Sequence, residues 1–336
     1  MTRLRLSVAA ICLAVAVAAV TGGTAARGAH ATQHVVHLRY ATSFGNFGRD
    51  AYVYVAAAKG YFRQAGFDVS ITAGNGSEDD MKLIAAGKVD YAPADVTALV
   101  VARANENLPV KVVSLVHQHT LSAEFAVAGG SIRTAKDLAG KKIGDFPGST
   151  TEVMFPLFAQ KVGIDPKSVK FVPANPQSEP ALLASGQLDA VGQFTVGVPL
   201  YHAATKKKIL VFPYARYFPD LMGIGIVTSD SRIKDRPDEV RAFVSALNKG
   251  LLYSLAHPDE AGRIIHAAQP LTDAKIAAAE LRIMKPYVLT AQTRKHGVGY
   301  LDPARMASTI ALVDKGFHPK RHVTVKDVYA AGFVGH

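Results

Sequence analysis

The stretch from Ala56 to Asp95, AAAKGYFRQAGFDVSITAGNGSEDDMKLIAAGKVDYAPAD, constrains the fold more than any other part of the chain. An Ala-rich helix closes at Lys59-Gly60. The turn Gly66-Phe67-Asp68 feeds the β-branched run Val69-Ser70-Ile71. The polar loop Gly74-Asn75-Gly76-Ser77-Glu78 then opens a second helix, which stops at Gly87, and Val89-Asp90-Tyr91 begins another strand. Strand, loop, helix and strand in that order predict a βαβ unit, with parallel pairing and loops opening at one edge of the sheet.

The same order returns further along. Lys161-Val162-Gly163-Ile164-Asp165 answers Gln64-Ala65-Gly66-Phe67-Asp68, and Gln177-Ser178-Glu179 answers Gly76-Ser77-Glu78. Leu182 to Asp189 answers Leu83 to Asp90. Spacings differ by several residues, so this is a shared architecture and not a tandem repeat. Two similar α/β halves face each other across a cleft lined by loops at the strand C-terminal ends. The chain's 336 residues suffice for two lobes with their own cores.

The N-terminus reads as a secretory signal over residues 1–31. Arg3 and Arg5 supply positive charge, Leu6 to Val20 is an apolar core too short to span a bilayer comfortably, and small-residue cleavage motifs follow up to Ala26 or Ala31. The one cysteine, Cys12, lies inside that core, so the mature chain is expected to lack thiols, disulfides and Cys-based metal sites. Net charge is +11, and loss of Arg3, Arg5 and Arg27 with no acidic residue leaves +8. That balance favours an anionic partner. The basic residues are scattered apart from Lys206-Lys207-Lys208, which argues against nucleic acid.

Lobe 1 is expected over 35–128, lobe 2 over 129–221, and a return to lobe 1 with C-terminal helices over 222–336. The hinge falls near Gly129-Gly130 and Met222-Thr228, and the helical tail after Arg236 is expected to pack against one lobe. Three loops could hold a ligand. Ser43, Phe44, Asn46 and Phe47 combine hydrogen-bonding groups with aromatic faces on a glycine-rich backbone. Gly148, Ser149 and Thr150 open a helix whose free N–H groups suit an oxyanion. Ser77 and Glu78 open the helix of the first βαβ unit, where Glu78 also complements the dipole. Catalytic readings find little support: His117 and His119 lack a carboxylate companion close in sequence, Ser149 lacks a GxSxG setting, and no GxGxxG or phosphate-binding loop is present.

Ala58-Lys59-Gly60-Tyr61-Phe62, Gly66-Phe67-Asp68-Val69, Ala86 to Asp90, Asp137 to Gly144 and Ala184 to Ala190 together resemble the extracytoplasmic solute-binding proteins of ABC importers. The branch is the NMT1/THI5-like group, which includes sulfonate, taurine, nitrate and thiamine-pyrimidine binders. The resemblance implies a type II periplasmic-binding-protein fold, α/β with two lobes, each a mixed sheet flanked by helices. It implies no enzyme activity, no cofactor and no metal, a monomer that delivers its solute to a permease and its ATPase, and a place outside the cytoplasmic membrane. By the same resemblance Asp95 and Thr97 in lobe 1, and Gln193, Phe194 and Thr195 in lobe 2, stand where the family touches ligand. Two departures argue against an aminopyrimidine: the chain has no tryptophan, and Val198 precedes Pro199 where many relatives carry Glu. The expected solute is a small heteroaromatic or organosulfur acid. An exported enzyme related to thiamine-pyrimidine synthases is the rival expectation, although Gly76 to Asp80 lacks their cysteine-rich loop.

Overall fold

A computed structural model describes residues 35–335. The secretory signal expected over residues 1–31 lies outside them. The main strands in chain order are β1 (Val36–Ala41), β2 (Phe67–Thr72), β3 (Ala92–Asp95), β4 (Val110–Leu115), β5 (Ser122–Val127), β6 (Lys142–Asp145), β7 (Lys170–Pro173), β8 (Ala190–Phe194), β9 (Ile209–Pro213) and β10 (Ile224–Ser229).

The first sheet runs β2-β1-β3-β10-β4, with β1 joined to β3 by the bridge between Tyr40 and Tyr91. The second runs β7-β6-β8-β5-β9. The two orders are the same. In each sheet the strand in fourth place is antiparallel to both neighbours. β5 leaves the first half to enter the second sheet, and β10 leaves the second half to enter the first. Each half therefore completes the other's sheet.

This exchange moves one expected boundary. A division at 128/129 falls after β5, yet β5 pairs with β8 and β9, so the crossing comes earlier, at His117–Leu121. The return crossing is Phe218–Gly223. The two segments are hydrogen-bonded to each other: Thr120 N donates to Leu221 O (2.9 Å) and Gly223 N to His117 O (3.2 Å). Gly129-Gly130, named as a hinge from the sequence, follows β5 at its end away from the crossing and so does not connect the two sheets.

The buried pattern explains why these runs become strands. β4 is buried at all but one position, as a strand covered on both faces must be. Helices α1 (Ala51–Ala58), α2 (Ser77–Ala85) and α3 (Val96–Glu106) cover the first sheet, and α4 (Thr150–Val162), α5 (Glu179–Ala184) and α6 (Val198–Thr205) the second. The tail contributes α7 (Pro237–Ala256), α8 (Pro258–Ala268), α9 (Ala274–Val288) and α10 (Pro303–Phe317), three of them with Pro at the first turn, where its missing N–H costs nothing. The tail does not keep to one lobe. Met306, Ile310 and Val313 of α10 join the first-lobe core, while Leu312 and Phe317 pack against the second-lobe core of Phe155 and Phe158. No helix among the described residues is long and apolar enough to cross a membrane.

Candidate ligand-binding site

The loops after β1, β2, β6 and β7, with the end of β8, converge on a cavity of about 300 Å³ between the two sheets' C-terminal ends. It reaches the lower limit of volumes typical of small-molecule sites. Phe44 from the first lobe meets Phe146 from the second edge-to-face, ring centroids 4.9 Å apart, so the lobes touch across its mouth.

On the first-lobe side, Ser43 follows the end of β1 and donates through Oγ to Asp50 Oδ1 (2.9 Å). Arg49, 4% exposed, places Nε 3.4 Å from Ser43 Oγ and 3.9 Å from Asp50 Oδ2. Its backbone N–H donates to Glu280 Oε2 on α9 (3.2 Å). The guanidinium lies over the Phe47 ring at 4.4 Å and near the Phe194 ring at 5.3 Å. Burial raises the Asp50 carboxyl and pushes Glu280 up to about 7, and in both the Arg49 charge opposes the rise.

On the second-lobe side, Asp145 ends β6. It accepts from Phe146 N (2.7 Å) and from the Thr151 hydroxyl. This pair fits only because residue 192 is glycine: a Cβ there would stand 2.0 Å from Asp145 Oδ2 and 2.7 Å from Thr151 Oγ1. Glu179 at the start of α5 accepts from Tyr201 Oη (2.7 Å) and from Gln193 Nε2 (3.4 Å). Behind them Glu124 of β5 pairs with Tyr214 Oη (2.7 Å). Burial is the main cause that pushes Asp145 up to about 7 and Glu124 and Glu179 up to about 8, and the Asp145 charge raises both glutamates further. Among the described residues none of the three forms an ion pair.

Of the residues singled out from sequence, Ser43, Phe44, Ser77, Glu78, Gly148, Ser149, Thr150, Gln193 and Phe194 line this cavity. Others are placed elsewhere by local structure. Asn46 Oδ1 accepts from Tyr54 Oη (2.6 Å), and Phe47 lies against Arg49. Asp95 caps α3 by accepting from Thr97 N (2.8 Å), and both residues are buried. Thr195 Oγ1 donates to Leu121 O (3.1 Å) at the crossing. The start of α4 is also less open to an anion than its sequence suggests. Gly148, at φ +79°, donates its N–H to Glu152 Oε2 (2.7 Å), and Ser149 Oγ takes the N–H of Glu152 (3.0 Å). Glu78 is ion-paired with Lys82.

Arg49, Asp145, Phe146, Glu179 and Gly192 also line the cavity and were not expected. A signal existed for Asp145, which ends β6 as Ala41 ends β1, and for Glu179, which answers Glu78. Arg49 reads as an ordinary helix start. His117 lies buried in the crossing, and burial pushes its imidazole down to about 3, with the Arg49 charge adding to the shift. No group of His, Cys, Asp or Glu among the described residues is placed to hold a metal.

Two α/β lobes of identical strand order, each completed by a strand from the other and separated by a cleft at the strand ends, define the periplasmic-binding-protein fold. Comparison with solved structures agrees. The alkanesulfonate-binding protein SsuA from Xanthomonas axonopodis pv. citri superposes with TM-score 0.67 at 15% identity, covering 88% of this chain and 98% of that one. The chain belongs to the NMT1/THI5 like family, whose model matches residues 49–261. Among curated relatives, the riboflavin-binding protein RibY of Chloroflexus aurantiacus is 30% identical over 258 residues, 74% of this chain and 72% of that protein. The formylaminopyrimidine-binding protein of Halalkalibacterium halodurans is 26% identical, with 64% and 65% covered. A 4-amino-5-hydroxymethyl-2-methylpyrimidine phosphate synthase of Saccharomyces cerevisiae is 23% identical, with 62% and 64% covered.

Proposed function

We propose that the mature chain is the extracytoplasmic solute-binding component of an ABC importer, and that its solute is a heteroaromatic compound. The observation that carries this reading is the cavity closed between the strand ends of two lobes joined by two crossings and packed against the C-terminal helices. A guest that contacts both lobes stabilises the closed state by its differential affinity for it. The partners are then a permease and its ATPase, met by a monomer outside the cytoplasmic membrane.

The lining favours a ring compound over the anions that net charge alone suggests. Glu78, Asp79, Asp145 and Glu179 all line the cavity, and Arg49, the one cationic residue lining it among the described residues, already has Asp50 and Glu280 beside it. A sulfonate or nitrate would meet the Glu78 and Asp79 carboxyls there. Phe44, Phe146 and Phe194 offer aromatic surface instead. The names of two relatives, a riboflavin binder and a formylaminopyrimidine binder, point the same way.

The test is a thermal-shift and calorimetric panel of riboflavin, an aminopyrimidine, an alkanesulfonate and nitrate. A true solute at roughly a thousandfold excess over its Kd stabilises the fold by about 4 kcal/mol. Saturable binding of a heterocycle without product supports the reading. Turnover, or the absorbance of a bound pyridoxal phosphate, would move the chain to the synthase side of its family.

A further inference from the structure

The edge of the second sheet that faces away from the cavity carries most of the chain's net charge. β6, β7, β8 and β9 begin at that edge and β5 ends there: Lys142 stands beside Lys170, Ile143 beside Ala190, Ala190 beside Ala126, and Val127 beside Ile209. The segments that lead into these ends, 128–142, 161–170, 185–189 and 205–208, hold Arg133 and nine lysines against Asp137, Asp165 and Asp189, a net charge of +7. Residues 35–336 hold 35 basic residues, the total of 38 less Arg3, Arg5 and Arg27, against all 27 acidic ones, which is +8. The rest of the fold, with 25 basic and 24 acidic residues, is therefore almost neutral. Nine of the ten basic side chains are exposed and Lys141 is half-buried. Among the described residues none of the ten is ion-paired. The three acids are turned to backbone instead: Asp137 accepts from Thr134 N (2.8 Å), Asp165 from Lys167 N (2.9 Å) and Asp189 from Lys142 N (2.9 Å). Lysines scattered along the sequence are thus gathered by the strand order on one pole of the second lobe.

The chemistry of the pole selects its partner. Protein interfaces are poor in Lys and centre on aromatic or apolar anchors. These four segments contain no aromatic residue, and none of their large hydrophobic side chains is exposed. Single-stranded nucleic acid wants stacking platforms and duplexes want Arg forks, and here one basic residue in ten is Arg. Hydrated, flexible ammonium groups over five strand ends, a row about 20 Å wide at ~4.8 Å per strand, match an extended and laterally mobile anionic surface. We propose that this pole rests on the anionic headgroups of a lipid bilayer, with Lys142, Lys170 and Lys206 to Lys208 as its contacts. The cleft and the first lobe are then held on the far side, clear of the membrane. With no apolar side chain to insert, the association is peripheral and reversed by salt. It does not depend on which solute fills the cavity.

The experiment sediments the chain without residues 1–31, whose apolar core would itself bind lipid, with vesicles of phosphatidylcholine alone or with about 30% phosphatidylglycerol. The expected result is binding to the anionic vesicles at about 0.05 M salt, none to the neutral ones, and release by about 0.5 M salt. Lys142→Gln/Lys170→Gln/Lys206→Gln/Lys207→Gln/Lys208→Gln should weaken binding about tenfold or more. A control, Lys88→Gln/Lys249→Gln/Lys275→Gln/Lys295→Gln/Lys326→Gln, removes the same charge from exposed positions elsewhere and should weaken it no more than about twofold. Circular dichroism checks folding, and if the fivefold pole variant fails to fold, Lys206→Gln/Lys207→Gln/Lys208→Gln on its exposed turn still decides. Equal losses in the pole and control variants reduce the effect to net charge and overturn the assignment. It is equally overturned by equal binding to neutral vesicles, by no binding to any vesicle, or by tighter binding to a DNA duplex than to anionic vesicles at the same salt. None of these outcomes bears on solute capture, which the thermal-shift panel reads separately.

Discussion

Replacing Glu124 with Gln should flatten the pH dependence of stability without touching the cavity. Glu124 is fully buried in the middle of the second sheet, and Oε2 has no partner. Tyr214 Oη stands 2.7 Å from Glu124 Oε1 and 3.1 Å from Thr151 O. One phenolic proton cannot serve both acceptors fully. A protonated Glu124 resolves this by donating to Tyr214 Oη, which frees the phenolic proton for the Thr151 carbonyl. Burial, and secondarily the Asp145 charge, accordingly push Glu124 up to about 8. In the unfolded chain the same group titrates near 4.3. Between those values the folded chain keeps a proton that the unfolded chain has released. Stability therefore falls as pH rises from about 4 to about 8 and levels off above, the reverse of the behaviour of a salt-bridged carboxylate. One group contributes about 1.4 kcal/mol per pH unit at most, so the loss between pH 5 and pH 7 is about 2 kcal/mol, less whatever coupling to Asp145 removes. Gln mimics the protonated acid, its amide donating to Tyr214 Oη. Urea unfolding at pH 5 and 7 should show Glu124→Gln close to the native chain at pH 5 and more stable at pH 7. Parallel profiles for the two proteins, or a native chain that gains stability from pH 5 to 7 relative to the variant, would refute the protonated-acid argument.

Three further outcomes follow from local geometry. Phe44→Ala removes the edge-to-face contact with Phe146 and should cost the closed state about 0.5–1.5 kcal/mol; pulsed spin-label distances between two cysteines introduced within residues 35–335, which hold no native cysteine, read this as a larger open fraction. Gly192→Ala drives a Cβ into Asp145 and Thr151 and should destabilise by about 1–3 kcal/mol in denaturant titration, with solute affinity falling as Asp145 is displaced. Asp95→Ala should lower stability by about 1 kcal/mol through loss of the α3 cap while leaving solute affinity unchanged, and a loss of affinity would place Asp95 back at the ligand.

Local order was legible in the sequence where turn chemistry punctuates a periodic run. Gly87 and Gly186 end their helices at matching places, and both adopt positive φ, so the half-repeat around them could be read without coordinates. The exchange of β5 and β10 was only half legible. β10 was expected to return to the first lobe, but β5 was placed with its sequence neighbours, because nothing in a six-residue strand states which sheet edge it joins. The cavity was legible as loops and illegible as chemistry. Loops follow from strand ends, so Ser43, Phe44 and Gly148 were found. Whether a loop side chain reaches the cavity or its own helix depends on distances of an ångström, and Asp95 shows the second outcome. Arg49 was missed because its partners Asp50, Phe194 and Glu280 come from three separated parts of the chain.

The two lobes also show how one plan yields two different walls. In the first lobe the hydroxyl sits on the loop after β1 and the acid at the helix start, as Ser43 and Asp50. In the second the acid ends β6 and the hydroxyl lies in the helix, as Asp145 and Thr151. The hydrogen bond is equivalent, but the members have changed places. With the acid set back in the first lobe, Asp50 can balance a guanidinium, and Arg49 fills the front. With the acid brought forward in the second lobe, Glu124 and Glu179 lie within reach of its charge instead of a guanidinium. A symmetric pair of lobes would bind a ligand in two equivalent orientations. The exchange of one hydroxyl and one carboxyl removes that degeneracy and gives the cleft a direction.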